Sequence, residues 1–306
     1  MCRWNAYFGQ PLEIDELLFR TPHGLIDQAL HSRMGVETTN GDGFGIGWYM
    51  PDRPDNPARY RSVSPAWNDA NLRDLTSHVE SPLFLAHIRA TTGTPVQQTN
   101  CHPFRHGRWL FVHNGVINGF SGIRRELLLT VDPALFGDIA GSTDSEALFY
   151  LALTFGLEDD PLPAVERAVG FVETTARAHG IEHPVQMTLG ISDGERLWAI
   201  RYSSEGRSRT LFKSADRATV QALHPDNPRF ARLTDEDRII VSEPLSDLPG
   251  VWLEVPESTA VIVQPGADEQ VPFRPQADFV PARWGAPELE ANGATTTAGS
   301  APPPPR

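Results

Sequence analysis

The order of the predicted secondary-structure elements constrains the fold of this chain more than any other feature. Alternating or apolar runs predict strands at 3–8, 59–63, 82–89 and 108–113, and again at 185–192, 196–202, 210–212, 238–242 and 260–263. Between them, helices are predicted from Thr143, which opens a capping box with Glu146, and over 163–179. Two short helices are predicted earlier, at 12–19 and 24–30. Strands, then helices, then strands indicate a layered α+β domain rather than a doubly wound sheet.

The composition changes near residue 273 and divides the chain into a domain and a tail. Residues 273–306 are rich in Pro, Ala, Gly and Thr, and they end in four prolines before Arg306. Such a segment cannot bury enough apolar surface to offset the entropy lost when it orders. We therefore expect one domain over 2–272 and a disordered tail over 273–306.

The charge of the chain restricts the class of partner. A formal net charge of −13 argues against a nucleic-acid partner, which would be bound by a basic face. No apolar run approaches the roughly 18 residues of a membrane-spanning segment, and the first residues do not have the pattern of a signal peptide. We therefore expect a cytoplasmic protein that acts on a small molecule.

A cysteine directly follows the initiator methionine. Removal of Met1, which is expected before a residue as small as cysteine, would leave Cys2 with a free α-amine. An α-amine and a thiol have ordinary pKa values of about 8 and about 8.5, so the amine can take the thiol proton. Nucleophile and base would then come from one residue. By position alone, the interpretation of Cys2 as a small apolar residue at the start of a strand is favoured over a catalytic one, and the other segments of the chain reverse this.

Three further polar clusters lie at predicted strand ends or at a helix start. Arg89 ends a strand, where its guanidinium could bind a ligand carboxylate or pair with a structural acid. Asn114 and Gly115 offer a side-chain amide and a backbone N–H suited to an oxyanion hole, although Asn-Gly also favours a turn. Asp144 begins a helix, where the helix dipole favours a carboxylate with or without a ligand.

Histidines and glycines give weaker signals. His102 and His106 are four residues apart, but Pro103 and Gly107 oppose a helix and no glutamate completes a zinc motif, so no metal site is expected. The glycine-rich segment 41–47 lacks the features of phosphate and dinucleotide loops, so no cofactor is expected either. Its glycines are predicted to let the backbone pass close to the site.

Seven segments together resemble, in order, the motifs of the class II glutamine amidotransferases of the N-terminal nucleophile hydrolase superfamily. They are Cys2 after Met1, Gly41-Asp-Gly-Phe-Gly45, His87-x-Arg89, Asn100-Cys-His-Pro-Phe104, His113-Asn-Gly115, Thr143-Asp-Ser-Glu146 and Val241-Ser-Glu-Pro244. The resemblance covers about residues 1–265 and implies a four-layer αββα sandwich.

The resemblance also implies roles for individual residues. It makes Cys2 the nucleophile with its α-amine as base, and it makes Asn114 and Gly115 the oxyanion hole. It further implies that Arg89 holds the α-carboxylate of the substrate and that Asp144 holds its α-ammonium. His102 and the Thr91-Thr92 pair match positions that line the glutamine pocket.

The Arg89 segment departs from family members that carry a synthase domain, because it is one residue shorter and lacks the tryptophan after the arginine. It resembles stand-alone members, which include γ-glutamyl hydrolases of ergothioneine synthesis and of glutathione breakdown. The implied reaction is hydrolysis of a γ-glutamyl amide through a thioester on Cys2. Two alternatives are a glutaminase subunit that supplies ammonia to a separate synthetase and a non-catalytic sensor of γ-glutamyl ligands, although a sensor would not need the terminal thiol.

Overall fold

The computed structural model describes residues 2–34, 39–91 and 93–279. Thirteen strands lie in this part of the chain: β1 (Arg3–Glu13), β2 (Phe44–Met50), β3 (Arg53–Ser62), β4 (Glu80–Ile88), β5 (Phe104–His106), β6 (Trp109–Ile117), β7 (Val185–Ser192), β8 (Leu197–Ser203), β9 (Phe212–Ser214), β10 (Arg238–Val241), β11 (Trp252–Glu254), β12 (Thr259–Val263) and β13 (Glu269–Pro272). They form two antiparallel sheets. The first has the order β11-β9-β10-β1-β4-β2-β3, and the second has the order β13-β12-β8-β7-β6-β5.

Seven α-helices lie in the described residues: α1 (Leu25–His31), α2 (Ala70–Thr76), α3 (Phe120–Thr130), α4 (Pro133–Phe136), α5 (Asp144–Thr154), α6 (Pro161–Ala178) and α7 (Arg217–Leu223). One π-helical segment covers Glu16–Arg20, and short 3-10 segments cover Ala66–Asn68, Gln98–Asn100 and Phe230–Arg232. Within these ranges no helix has both the length and the apolar character needed to cross a lipid bilayer.

Three apolar clusters define four layers. Successive side chains of a strand point to opposite faces, so Trp4 and Ala6 of β1 face the second sheet while Tyr7 faces helices. Residues of α3, α5 and α6 cover the outer face of the second sheet, and α1 with the π-helical segment covers the outer face of the first. The expected αββα sandwich of α+β class is confirmed.

Several local expectations are wrong. The helix expected over 12–19 is replaced by the end of β1, which resumes pairing with β4 after a bulge, with Leu12 opposite Ser81, and then by the π-helical segment. Only strands were expected after residue 192, yet α7 follows Asp216, whose Oδ1 accepts a hydrogen bond of 2.9 Å from the Thr219 N–H. No strand was predicted at β5, β11 or β13, which span three, three and four residues.

The domain extends past the boundary expected at 272. Phe273 is only 2% exposed and its ring lies 5.3 Å from that of Tyr202. The ring of Phe279 lies 4.7 Å from that of Phe155, at the end of α5. Aromatic burial of this kind favours an ordered segment over a free tail. The rest of the expected disordered tail, 280–306, lies outside the described residues.

Candidate active site

Cys2 lies at the start of β1, the central strand of the first sheet. Arg3 is opposite Ile88 in the β1–β4 register, so Cys2 falls beside the residues that follow β4. Its Sγ is 3.5 Å from the Ala90 carbonyl oxygen, and the side chain is partly exposed. The structure therefore brings the candidate nucleophile next to the segment that carries Arg89.

A buried carboxylate holds the residue after Cys2. Arg3 donates from Nη1 to the Cys2 carbonyl oxygen at 3.0 Å and from Nε to Oε2 of Glu243 at 2.8 Å. Glu243 accepts four further hydrogen bonds, from His23 Nε2, Ser32 Oγ and the backbone N–H groups of Arg33 and Met34. Glu243 is only 1% exposed, and this network joins the start of the chain to α1 and to the end of β10 through direct hydrogen bonds.

The hydrogen bonds of this network stabilise the charged forms of Glu243 and His23 although both side chains are buried. Burial alone would raise the pKa of Glu243, but hydrogen bonds from His23, from the Arg33 N–H and from Arg3 lower it to about 2. Burial would lower the pKa of His23, yet its hydrogen bonds to Glu243 and Asp27 raise it. No role was predicted for Glu243 or His23. The sequence does contain one indication of a role for Glu243, because this residue lies in the Val241-Ser-Glu-Pro244 motif directly after a predicted strand.

Asn114 and Gly115 lie inside β6, so the turn that their dipeptide also favours is not formed. At the end of the β6–β7 ladder, the Asn118 N–H points toward β7 and donates to the Pro184 carbonyl oxygen. The N–H of the preceding residue, Ile117, points to the opposite side and donates to Asp144 Oδ2 at 2.8 Å. Alternation along an antiparallel strand therefore points the Gly115 N–H away from β7. The strand on the other side, β5, pairs only as far as Phe111.

Both candidate oxyanion donors are thus available. Within the described residues, the Asn114 side-chain amide has no hydrogen-bond partner, and it lines a cavity of about 410 Å³. At Gly115 a Cβ would collide with the Gln186 carbonyl oxygen and the His113 ring, so only glycine fits. A side-chain amide beside a free backbone N–H can stabilise a tetrahedral oxyanion.

Arg89 is 3% exposed, and no carboxylate in the described ranges pairs with it. Its guanidinium donates instead to the hydroxyls of Thr91 at 3.1 Å and Thr94 at 2.6 Å, and weakly to the Asp42 carbonyl. The structural ion pair considered for this arginine is therefore not formed by those residues. A buried cation with only neutral partners is suited to bind an anionic ligand.

Thr91 orders the Arg89 segment through its backbone and its hydroxyl. Its N–H donates to Asp42 Oδ2 at 2.7 Å, and its Oγ1 donates to the Thr94 carbonyl at 2.7 Å. Thr91 therefore contacts the arginine directly, and the threonine after it, at position 92, lies outside the described residues.

Asp144 joins α5 to β6 next to the oxyanion donors. Its Oδ2 accepts from Ile117 N, and its Oδ1 accepts from Ser145 N at 2.8 Å and from Ser145 Oγ at 3.4 Å. A carboxylate can accept about four hydrogen bonds, so these three, one of them long, leave room for a ligand ammonium. Nearby, the His113 ring contacts Ser145 Oγ at 2.8 Å, and burial lowers the pKa of His113.

His102 is buried between aromatic rings. Its ring lies 4.2 Å from that of His87 and 4.5 Å from that of Phe104, and neither its nitrogens nor those of His87 have a hydrogen-bond partner in the described chain. Burial lowers the pKa of His87 to about 3 and that of His102 far below its ordinary value, with His87 and His113 adding repulsion at His102. His102 is therefore uncharged near neutral pH.

The second cysteine is not placed for catalysis. Cys101 is fully buried, and its Sγ lies 3.4 Å from the Ser62 carbonyl oxygen. Burial raises the pKa of this thiol, which opposes thiolate formation. At Gly43, with φ of +110°, a Cβ would lie against Cys101 Sγ and the Ser62 carbonyl oxygen, so glycine here allows the backbone to approach this buried thiol closely.

Comparison with known proteins places these features in a family. The family described as "Glutamine amidotransferases class-II" matches residues 25–279. The yeast Saccharomyces cerevisiae protein "Probable glutamine amidotransferase DUG3" is 33% identical over 293 residues, which cover 86% of this chain and 82% of that protein. The "Gamma-glutamyl-hercynylcysteine sulfoxide hydrolase" of Mycolicibacterium smegmatis is 29% identical over 267 residues, with 86% of this chain and 96% of that protein covered.

A solved structure agrees in fold and length. The structure described as a glutamine aminotransferase class-II domain protein from Silicibacter pomeroyi superposes with a TM-score of 0.68 and 32% identity, covering 90% of this chain and all of that one.

Proposed function

The chain belongs to the class II glutamine amidotransferases, and from this premise we propose that it hydrolyses γ-glutamyl amides with Cys2 as nucleophile. The observation that carries the proposal is the position of Cys2. Its thiol lies at the end of β4 beside Arg89, a buried arginine to which no acid in the described residues is paired. The mycobacterial relative named as a γ-glutamyl hydrolase supports the same reaction class.

The proposed reaction has two halves. After removal of Met1, the α-amine of Cys2 takes the thiol proton, directly or through one water, and Sγ attacks the side-chain amide carbonyl. The tetrahedral oxyanion is bound by the Asn114 amide and the Gly115 N–H. Its collapse returns the proton to the nitrogen, breaks the C–N bond and releases an amine or ammonia. Water then attacks the γ-glutamyl thioester, which frees glutamate and the thiol.

The glutamyl half would be recognised by opposite charges. Arg89, fixed by Thr91 and Thr94, would bind the α-carboxylate, and Asp144 would bind the α-ammonium. Neutral His102 would line the same pocket without repelling the ammonium. Such contacts would select small substrates that carry a γ-glutamyl group with a free α-carboxylate and a free α-ammonium.

Ammonia delivery to a separate synthetase is the second candidate function, and the similarity to the protein named probable glutamine amidotransferase DUG3 favours it. Glutamine would then be the preferred substrate, and activity would rise when the synthetase is added. We also propose a cytoplasmic location, because both Cys2 and Cys101 are free thiols and Cys2 must stay reduced to react.

The direct test combines intact mass with turnover. Purified protein should lack Met1 and release glutamate from glutamine or other γ-glutamyl amides. Cys2→Ala should remove this activity while the fold is kept, and the matched variant Cys101→Ser should retain it, because a serine hydroxyl can still donate to Ser62 O. Full activity with an uncleaved N-terminal extension, or in Cys2→Ala, would overturn the proposal.

A further inference from the structure

The cavity beside Asn114 has no assigned occupant. It measures about 410 Å³, within the range of about 300–1,000 Å³ typical of small-ligand sites. Besides Asn114, it is lined by Arg3, Ser242 and the segment between β8 and β9. Its volume greatly exceeds that needed by ammonia, the leaving group of glutamine.

The cavity lies apart from the residues proposed to hold the glutamyl group. Arg89, Thr91, His102 and Asp144 are all absent from its lining. A carbonyl oxygen bound at Asn114 has the glutamyl chain on one side of its carbon and the departing amine on the other. Cys2 and Gly115 are also absent from the lining, but Asn114 lines the cavity and Arg209 is near enough to Cys2 to interact with its charge. A cavity that meets the reacting centre through these two residues, and none of the glutamyl-binding residues, fits the side of the departing amine.

The charges that line this cavity are mainly positive. Arg3 is neutralised by Glu243, but Arg207 and Arg209 have no acidic partner within the described residues. Arg209 Nε is buried without a hydrogen-bond partner, and Arg209 lies close enough to Cys2 and Arg3 for both to affect its pKa, which burial lowers. The acidic residue of the lining, Glu205, is exposed to solvent.

An unpaired, partly buried guanidinium gains most from a planar anion. A carboxylate can accept two parallel N–H bonds from the arginine fork, and this pairing is stronger than a neutral hydrogen bond. We propose that the cavity is the leaving-group subsite and that Arg207 and Arg209 bind a carboxylate carried by the departing amine. This inference rests on the proposed function and narrows it to γ-glutamyl amino acids or peptides.

The test compares two substrates that differ only in this carboxylate, γ-glutamylglycine and its C-terminal amide. Glutamate release should give a kcat/KM at least about tenfold higher for the acid, the factor expected from one charge-assisted hydrogen bond. Arg207→Gln and Arg209→Gln should each move this ratio toward one, and the matching lysine variants should recover part of it. Arg124→Gln, which changes an exposed arginine of α3, should keep the wild-type ratio.

The possible results of this test distinguish a failure of the leaving-group inference from a failure of the proposed function. Equal activity on both substrates would overturn the inference and leave the proposed function intact. A large ratio that neither glutamine variant changes would also overturn it, because the carboxylate would then be bound elsewhere. Since Arg207 is exposed, its replacement cannot be confused with misfolding. No hydrolysis of either substrate or of glutamine, by protein shown to begin at Cys2, would instead refute the proposed function.

Discussion

Replacing Glu243 by glutamine should weaken the folded state through the network behind Cys2. Five donors, from Arg3, His23, Ser32, Arg33 and Met34, converge on this one carboxylate. A glutamine of the same shape has one acceptor oxygen and an NH₂ group, which would face donors. The Glu243→Gln variant therefore loses the charge and leaves donors unsatisfied in a buried place.

The magnitude follows from the pKa of Glu243, which falls from an ordinary 4.5 to about 2. At about 1.36 kcal/mol for each pKa unit, the charged form stabilises the fold by about 3 kcal/mol. The loss of one partner from a buried ion pair typically costs about 3–5 kcal/mol, which agrees. We expect Glu243→Gln to lower the free energy of unfolding by about 3 kcal/mol near neutral pH.

The effect should depend on pH with a definite sign. Because the pKa of Glu243 is lower in the folded state, its contribution is fully present above about 4.5 and is lost as the pH falls toward about 2. The raised pKa of His23 acts oppositely, since its contribution is present below its ordinary value and is lost as the pH rises through its folded value. The difference in stability between wild type and variant should therefore shrink on acidification.

Urea unfolding followed by tryptophan fluorescence, at several pH values from neutral down to about 2.5, measures this difference across the range in which the Glu243 contribution is lost. Glu195→Gln is the matched control, because it neutralises an exposed carboxylate with no ion-pair partner in the described chain. A loss below about 1 kcal/mol for Glu243→Gln, or a loss equal to that of the control, would refute the reasoning.

Three further changes test the site and the domain boundary. Asn114→Ala should lower kcat by roughly 10²–10³, the usual loss for one oxyanion donor, and a change confined to KM would make Asn114 a binding residue. Arg89→Ala and Asp144→Ala should each raise KM strongly for every γ-glutamyl substrate, because these residues contact the glutamyl group both before and after bond cleavage. A wild-type KM in Asp144→Ala would show that Asp144 only connects α5 to β6 and does not bind the substrate. Truncation after residue 272 removes the buried Phe273 and should lower the melting temperature by several degrees, whereas unchanged melting would place the domain end at 272.

The layered fold could be predicted because its signals are local. Alternation and apolar runs place most strands, and the side chain of Thr143 accepts from Glu146 N at 3.1 Å, as a capping box predicts. The reciprocal half of that box is not formed, because the Glu146 carboxylate accepts from Ala140 N and Gly141 N instead. The loop that carries Ala140 and Gly141 lies against this helix because of tertiary packing, and a local sequence pattern does not reveal such packing.

The candidate site residues could be selected from the sequence, and they remain predictions, but their geometry could not be predicted. Asn114 and Gly115 carry a turn signal that the β6–β7 ladder overrides, and the direction of the Gly115 N–H depends on pairing with residues about seventy positions away. Likewise, Arg207 and Arg209 have no motif, and only the folded cavity brings them beside Asn114. Phe273 was assigned to the tail because composition does not reveal an aromatic ring that docks on a distant strand.

The short unpaired edge of β6 has a consequence for the size of ligand that can bind there. An open strand edge usually invites another backbone to add to the sheet. Here β5 covers the edge up to Phe111 and Asp144 occupies the Ile117 N–H, so among the described residues only the few between them are open. So few backbone groups cannot support a ladder of main-chain hydrogen bonds with an added strand. This edge is therefore suited to a small ligand and not to the addition of a peptide strand from another protein.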